Sequence, residues 1–194
     1  MESKELALGI KLYRRPDNTQ SVLDEIENLL SPSSTLQWSP SRVKTDEGYV
    51  VDIKFRYNVY FWLNKSLDYS EEDKTRIAKV EALIDAEVKP CLQQYQFEMG
   101  VSIEKQEPYE LLKYTESNFL EWHTDDGSSD RSRVSMLYYL NDGYEGGELE
   151  FANFEVFYKP QRGDVIVFPS SFIYKHRVRE VSQGVRYVVA DFMA

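Results

Sequence analysis

Two histidines are all that this 194-residue chain contains, and their placement restricts how it can fold. His123 is followed two positions later by Asp125, a spacing that sets both side chains on one face of an extended strand. His176 comes about fifty residues further on, and Arg186 lies beyond it. For His123, Asp125 and His176 to meet, the last must arrive on a different strand of the same sheet system, so the chain has to curl back on itself. A small double-sheet barrel does this. The turn-prone Ser182-Gln183-Gly184 puts Arg186 on the strand that follows His176.

Two imidazoles and one carboxylate can occupy one face of a six-coordinate Fe(II), leaving the opposite face to an organic co-substrate and O2. Arg186 would then be a counter-ion for the far end of a bound dicarboxylate, because a guanidinium grips a carboxylate bidentately and stays charged when desolvated. Each residue also has an ordinary use. His-x-Asp is a short pattern, a single histidine often sits half-buried in a core, and the arginine of Val185-Arg186-Tyr187-Val188-Val189 can face outward on an edge strand. Their joint occurrence, in order and among strand patterns, favours the metal reading and suggests an oxygenase.

Residues 109–192 resemble the double-stranded β-helix core of Fe(II)/2-oxoglutarate dioxygenases, particularly the prolyl 4-hydroxylase branch. The resemblance is carried by Leu112-Lys113-Tyr114, by Phe119-Leu120-Glu121-Trp122-His123-Thr124-Asp125 and by Leu137-Tyr138-Tyr139-Leu140-Asn141-Asp142. It continues through Gly146-Gly147-Glu148-Leu149-Glu150-Phe151, Gly163-Asp164-Val165-Ile166-Val167-Phe168-Pro169, His176-Arg177-Val178 and Gly184-Val185-Arg186-Tyr187. The fold it implies is α+β and mainly β: a jelly-roll core over 104–194, braced by N-terminal strands and helices over 1–100, in one domain spanning 1–194.

By position, the resemblance implies that His123, Asp125 and His176 hold iron, that Arg186 pairs with the C5 carboxylate of 2-oxoglutarate, and that Tyr114 and Tyr139 are hydroxyl donors to the same molecule. It implies O2 as oxidant, ascorbate as a candidate reductant, decarboxylation of 2-oxoglutarate to succinate and CO2, and hydroxylation of a C–H bond. The tyrosines have an alternative use in ordinary strand packing. Phe119, Trp122, Phe151, Phe168 and Val178 are sources of a dry pocket, or of plain core.

The implied substrate is a proline in a polypeptide, as in procollagen-type or peptidyl-prolyl 4-hydroxylation. Trp122, Arg131, Arg133 and Phe192 are the candidate substrate contacts; Phe192 stands where this branch commonly has Trp. Residues 58–70 are expected to include the loop that closes over peptide in relatives. The same cofactor chemistry on a free amino acid, another protein side chain or a small metabolite is the alternative. A catalytically inert barrel that binds or senses is the non-enzyme alternative, and the intact set of His123, Asp125, His176 and Arg186 speaks against it.

A net charge of −10 argues against a nucleic-acid partner, since phosphate-backbone affinity rests on clustered Lys and Arg. The single cysteine, Cys91, cannot form an intramolecular disulfide and is expected as a small apolar residue in a helix. The N-terminal segment lacks the pattern of a leader, and no stretch has the roughly twenty apolar residues of a membrane span. The expected setting is cytoplasmic.

Along the chain, 8–13 reads as a strand ended by the turn Arg15-Pro16-Asp17-Asn18. A short helix capped by Asn18 or Thr19 would carry Val22, Leu23, Ile26, Leu29 and Leu30 on one stripe. Residues 31–41 read as a loop and 48–63 as one or two strands. Ser70 opens a long helix with Glu71, Glu72 and Asp73 in its first turn, and Pro90 is expected to end or kink it. Gly146-Gly147 suits a tight turn or a close backbone approach, and Glu148 and Glu150 suit a solvated strand face.

Overall fold

A computed structural model of the chain describes residues 3–15, 17–45, 48–63, 68–103, 108–126 and 133–194. The N-terminal part contains β1 (Ser3–Ala7), β2 (Ile10–Arg14), α1 (Thr19–Leu29), β3 (Ser39–Pro40), β4 (Val43–Thr45), β5 (Gly48–Val50), β6 (Arg56–Tyr57) and β7 (Val59–Trp62). The long helix α2 (Glu71–Met99) follows. Next come β8 (Glu110–Tyr114), β9 (Phe119–His123), β10 (Val134–Tyr139), β11 (Glu145–Gly146), β12 (Leu149–Phe151), β13 (Val156–Tyr158) and β14 (Asp164–Pro169). The chain closes with β15 (His176–Val178), β16 (Val181–Gln183) and β17 (Arg186–Met193).

Two antiparallel sheets face each other in a jelly-roll arrangement. The larger runs β1-β2-β14-β10-β17-β8-β7-β3 and the smaller runs β13-β12-β15-β9-β6. Strand parity explains why the central strands read as nearly continuous apolar runs: both of their faces are covered. On β10, Met136 and Tyr138 join α1 and α2 in one core, whereas Leu137 and Tyr139 point into the second core between the sheets. β17 divides the same way, with Tyr187, Val189 and Met193 toward the helices and Val188, Ala190 and Phe192 toward the interior.

The helices brace the outer face of the large sheet. The stripe expected for α1 is buried at Val22, Leu23, Ile26, Leu29 and Leu30. Asn18 does not cap α1; its amide donates to Glu87 on α2 (2.7 Å), which also pairs with Arg15 (3.2 Å). Ser70 caps α2 as expected, accepting from the Asp73 N–H at 3.0 Å.

Two expectations are corrected. The strand expected over 8–13 begins only at Ile10, because Gly9 takes φ 74° and turns the chain between β1 and β2, which pair as a hairpin. Pro90 does not end α2, which continues to Met99 and stops at left-handed Gly100. The burial of Val88, Cys91, Leu92 and Tyr95 around Pro90 offsets the one hydrogen bond that proline removes. Within 58–70, residues 59–62 form β7, paired to β8 in the large sheet, and 64–67 lie outside the described residues. Among the described residues, no helix is long and apolar enough to cross a membrane.

Candidate active site

His123 and His176 are brought together by sheet register: they are direct partners across β9 and β15. β9 ends at His123, and Asp125 lies in the bend just past it rather than on the strand itself. Asp125 Oδ1 is 3.6 Å from His123 Nε2, and its Oδ2 is 3.7 Å from His176 Nε2. The three candidate ligand atoms all lie within 4.8 Å of one another.

The tautomers follow from the hydrogen bonds. His123 Nδ1 is 2.8 Å from Glu121 O and His176 Nδ1 is 3.0 Å from Tyr174 O. A carbonyl only accepts, so each Nδ1 carries a hydrogen and Nε2 is the nitrogen of each ring that faces Asp125. Burial, and then the neighbouring His176, push His123 down to about 4, which keeps it neutral at physiological pH. The third group is oriented as well: Ser135 Oγ donates to Asp125 Oδ2 at 2.7 Å and lies 2.8 Å from Ser170 Oγ. With its own hydrogen spent on Asp125, Ser135 accepts from Ser170. This is the ligand-orienting shell that metal sites need, and the donor set of two neutral imidazoles and one carboxylate suits Fe(II).

Arg186, on the first position of β17, is 1% exposed and pairs in register with Tyr114 of β8. Its guanidinium carbon stands 4.8 Å from the Tyr114 ring and 5.0 Å from the Tyr139 ring. Asn141 fixes the backbone on both sides of it, donating to Val185 O (2.6 Å) and accepting from Tyr187 N–H (2.9 Å). Among the described residues no carboxylate pairs with Arg186, and its Nε and the hydroxyls of Tyr114, Tyr139 and Tyr144 are buried without a hydrogen-bond partner. Each buried, unpartnered polar group costs about 1–3 kcal/mol, so this cluster fits an anionic ligand. Burial raises all three phenols and keeps them protonated.

The remaining sequence candidates separate. Phe151 and Phe168 are buried and pack on the His176 ring at 5.4 and 4.9 Å, and Val178 belongs to the same interior core. Trp122 does not line this interior: it lies under the Arg177 guanidinium (4.5 Å), on the opposite face of the small sheet from His123. Strand alternation requires this, since Trp122 and His123 are adjacent. Phe192 is half-buried on the face of β17 that carries Arg186, in register with Ser135. Arg133 is exposed at the start of β10, and Arg131 lies outside the described residues. Glu150 is no extra ligand and no freely solvated group, because Arg177 and Arg179 both hold it.

Sequence reasoning missed several groups. Ser135 is a lone polar residue inside an apolar strand, at the parity of Tyr139, and that was the available signal. Arg56 sits on β6 in register with Leu120, donates to Asn58 Oδ1 (3.0 Å) and pairs with Glu110 (3.2 Å). Its charge acts on both Tyr114 and His123. Tyr144 and Lys159 carried no local signature.

Comparison with known proteins agrees with this geometry. Residues 109–194 match the 2OG-Fe(II) oxygenase superfamily. A PKHD-type hydroxylase from Rippkaea orientalis is 46% identical over 67 residues, which are 32% of this chain and 29% of that protein. A PKHD-type hydroxylase from Thermosynechococcus vestitus is 46% identical over 81 residues, 37% of this chain and 35% of that protein. The matched stretch thus spans about a third of these relatives' length.

Among solved structures, a prolyl hydroxylase from Trichoplax adhaerens, in complex with a hypoxia inducible factor oxygen degradation domain peptide fragment, superposes with a TM-score of 0.72 at 19% identity. That superposition covers 95% of this chain and 83% of the other. A Pseudomonas putida prolyl-4-hydroxylase gives 0.63 at 20% identity, covering 96% and 93%. A viral collagen prolyl hydroxylase from Paramecium Bursaria Chlorella virus-1, in complex with 2OG, gives 0.62 at 16% identity, covering 95% of each. At these identities the likeness is one of fold.

Proposed function

We propose that the protein is a 2OG-Fe(II) oxygenase, the superfamily that residues 109–194 match, and that it hydroxylates proline residues in a polypeptide, at C4 of the ring. Fe(II), 2-oxoglutarate and O2, when bound, supply oxidative decarboxylation to succinate and CO2 coupled to hydroxylation of a C–H bond.

The observation that carries the reading is the buried Arg186 beside unpartnered tyrosine hydroxyls, in the same interior as His123, Asp125 and His176. In this reading His123, Asp125 and His176 hold the iron, with Nε2 of each histidine and one or both carboxylate oxygens as ligands. Arg186 grips the distal carboxylate of 2-oxoglutarate, and Tyr114 and Tyr139 donate to it. Phe151 and Phe168 exclude water around His176. The whole of 1–194 is proposed to act as one domain, because β2 pairs directly with β14 and both helices pack on the large sheet. The polypeptide substrate is supported by the peptide-bound Trichoplax neighbour, and ascorbate is the proposed reductant.

The second reading keeps the cofactors and changes the substrate to another protein side chain, a free amino acid or a small metabolite. It is favoured by the identity to PKHD-type hydroxylases over a short stretch and by Phe192. Incubating the iron-loaded protein with proline-containing peptides and 2-oxoglutarate, with and without ascorbate, separates the two. A product heavier by one oxygen, mapped to proline, is expected. Succinate formed with no hydroxylated peptide would move the assignment to the second reading.

A further inference from the structure

Tyr144 lies in the connection between β10 and β11, 4% exposed, with its hydroxyl buried and unpartnered. Its ring and the Arg186 stem press against the same backbone: a Cβ added at Gly147 would come 3.0 Å from Tyr144 Cε2 and 3.1 Å from Arg186 Cδ. Lys159 clamps the residue from the other side, donating to Tyr144 O at 2.8 Å and to Gly146 O, with its ammonium 4.0 Å from the ring centroid. The ring is therefore held beside a guanidinium whose other two aromatic neighbours are Tyr114 and Tyr139.

A count of donors and acceptors makes this placement informative. A guanidinium only donates, and each phenol, kept protonated by burial, has a hydrogen to give. Arg186 Nε and the three hydroxyls are buried without a hydrogen-bond partner, so the cluster holds donors with hydrogens left to give. A carboxylate offers about four lone-pair positions, enough to receive a guanidinium and more than one hydroxyl.

Resting on the reading of Arg186 as the 2-oxoglutarate anchor, we propose that Tyr144 is a further binding residue for the co-substrate, its hydroxyl donating to the distal carboxylate that Arg186 holds.

The test titrates 2-oxoglutarate, and separately glutarate, into the Mn(II)-loaded full chain by calorimetry, with melting curves for each ligand. Glutarate lacks the keto group and cannot chelate the metal through it, so its binding leans more heavily on the distal carboxylate. The variants are Tyr144→Phe, Arg186→Met and, as a surface control, Tyr49→Phe, whose side chain is exposed. Tyr144→Phe is expected to weaken both ligands about tenfold, the factor for losing one hydrogen bond to a charged group. It should leave the ligand-free Tm unchanged or raised, since the lost hydroxyl has no partner there. Arg186→Met should abolish glutarate binding, and Tyr49→Phe should match wild type. Wild-type affinity in Tyr144→Phe, with binding lost in Arg186→Met, overturns the Tyr144 assignment and leaves the Arg186 reading standing. So does a lowered ligand-free Tm with an unchanged ligand-induced gain, the mark of a structural tyrosine. Binding of neither ligand by wild type removes the Arg186 reading, and Tyr144 with it.

Discussion

His123 and His176 face each other across β9 and β15 with ring centroids 4.2 Å apart. Residues separated by about fifty positions are thus fixed by one register, and the carbonyls of Glu121 and Tyr174 turn both Nε2 atoms toward Asp125. Protonating His123 is opposed by burial and by the close His176 imidazole. His123 is thereby kept neutral, which is the state in which an imidazole binds a metal.

His123→Ala should therefore abolish 2-oxoglutarate turnover. Two remaining ligands hold Fe(II) poorly, so the variant should emerge from desalting without iron while keeping its fold by circular dichroism. Succinate release and metal content measure both halves of this expectation. Turnover equal to wild type would discard the assigned metal site.

Ser135→Ala probes the orienting shell rather than the ligands. Asp125 Oδ2 loses its 2.7 Å donor, and Ser170 loses its acceptor at the same time. Loss of such a partner typically lowers metal affinity by about 10–100-fold. A Mn(II) titration of the variant should show this loss with little change in Tm. Wild-type affinity would mean that Asp125 is held well enough without Ser135.

Much of this was legible in the sequence wherever a periodic signal met a fixed parity. The α1 stripe, the Ser70 cap and the inward set of Leu137 and Tyr139 follow from helix and strand periods. The convergence of His123, Asp125 and His176 was readable because two strands and a return were the simplest way to join them. What escaped depends on contacts that no local pattern encodes. Pro90 stays inside α2 because the surrounding positions are buried against the sheet. Trp122 turned outward by alternation once His123 turned inward, so assigning both to one pocket was inconsistent with strand geometry. Tyr144 reaches Arg186 only because the β10–β11 connection folds back over Gly147.

The two adjacent glycines should respond differently to alanine. Gly146 and Gly147 both have positive φ, 70° and 66°, which costs a non-glycine residue about 1–2 kcal/mol. At Gly146 a Cβ would also sit 2.1 Å from Glu180 O, a backbone atom that cannot move without breaking the β11–β16 pairing. Gly146→Ala should therefore be among the severely destabilising substitutions, on the order of 4 kcal/mol or more. At Gly147 the neighbours are side chains at 3.0–3.1 Å, Tyr144 and Arg186 among them. Gly147→Ala should fold with a smaller loss and bind 2-oxoglutarate more weakly. Urea unfolding and ligand titration distinguish the pair, and equal stability losses would show that the Glu180 carbonyl can yield.

Cys91 supplies a pH-dependent test away from the site. It is fully buried on α2, and desolvation pushes its thiol up to about 12. Because the folded pKa lies above the unfolded one, the thiol's contribution to stability is complete at neutral pH and is lost as pH rises between about 9 and about 12. Buried Tyr138 and Tyr187, also raised by burial, add to the same alkaline limb. The melting temperature should accordingly fall steadily above about pH 9. In the folded protein at pH 8, a thiol reagent should label Cys91 only as fast as the chain opens, and addition of denaturant should bring labelling to the rate of a free cysteine. Rapid labelling without denaturant would show that α2 does not seal Cys91 against the sheet, and would remove the reason given for its continuing through Pro90.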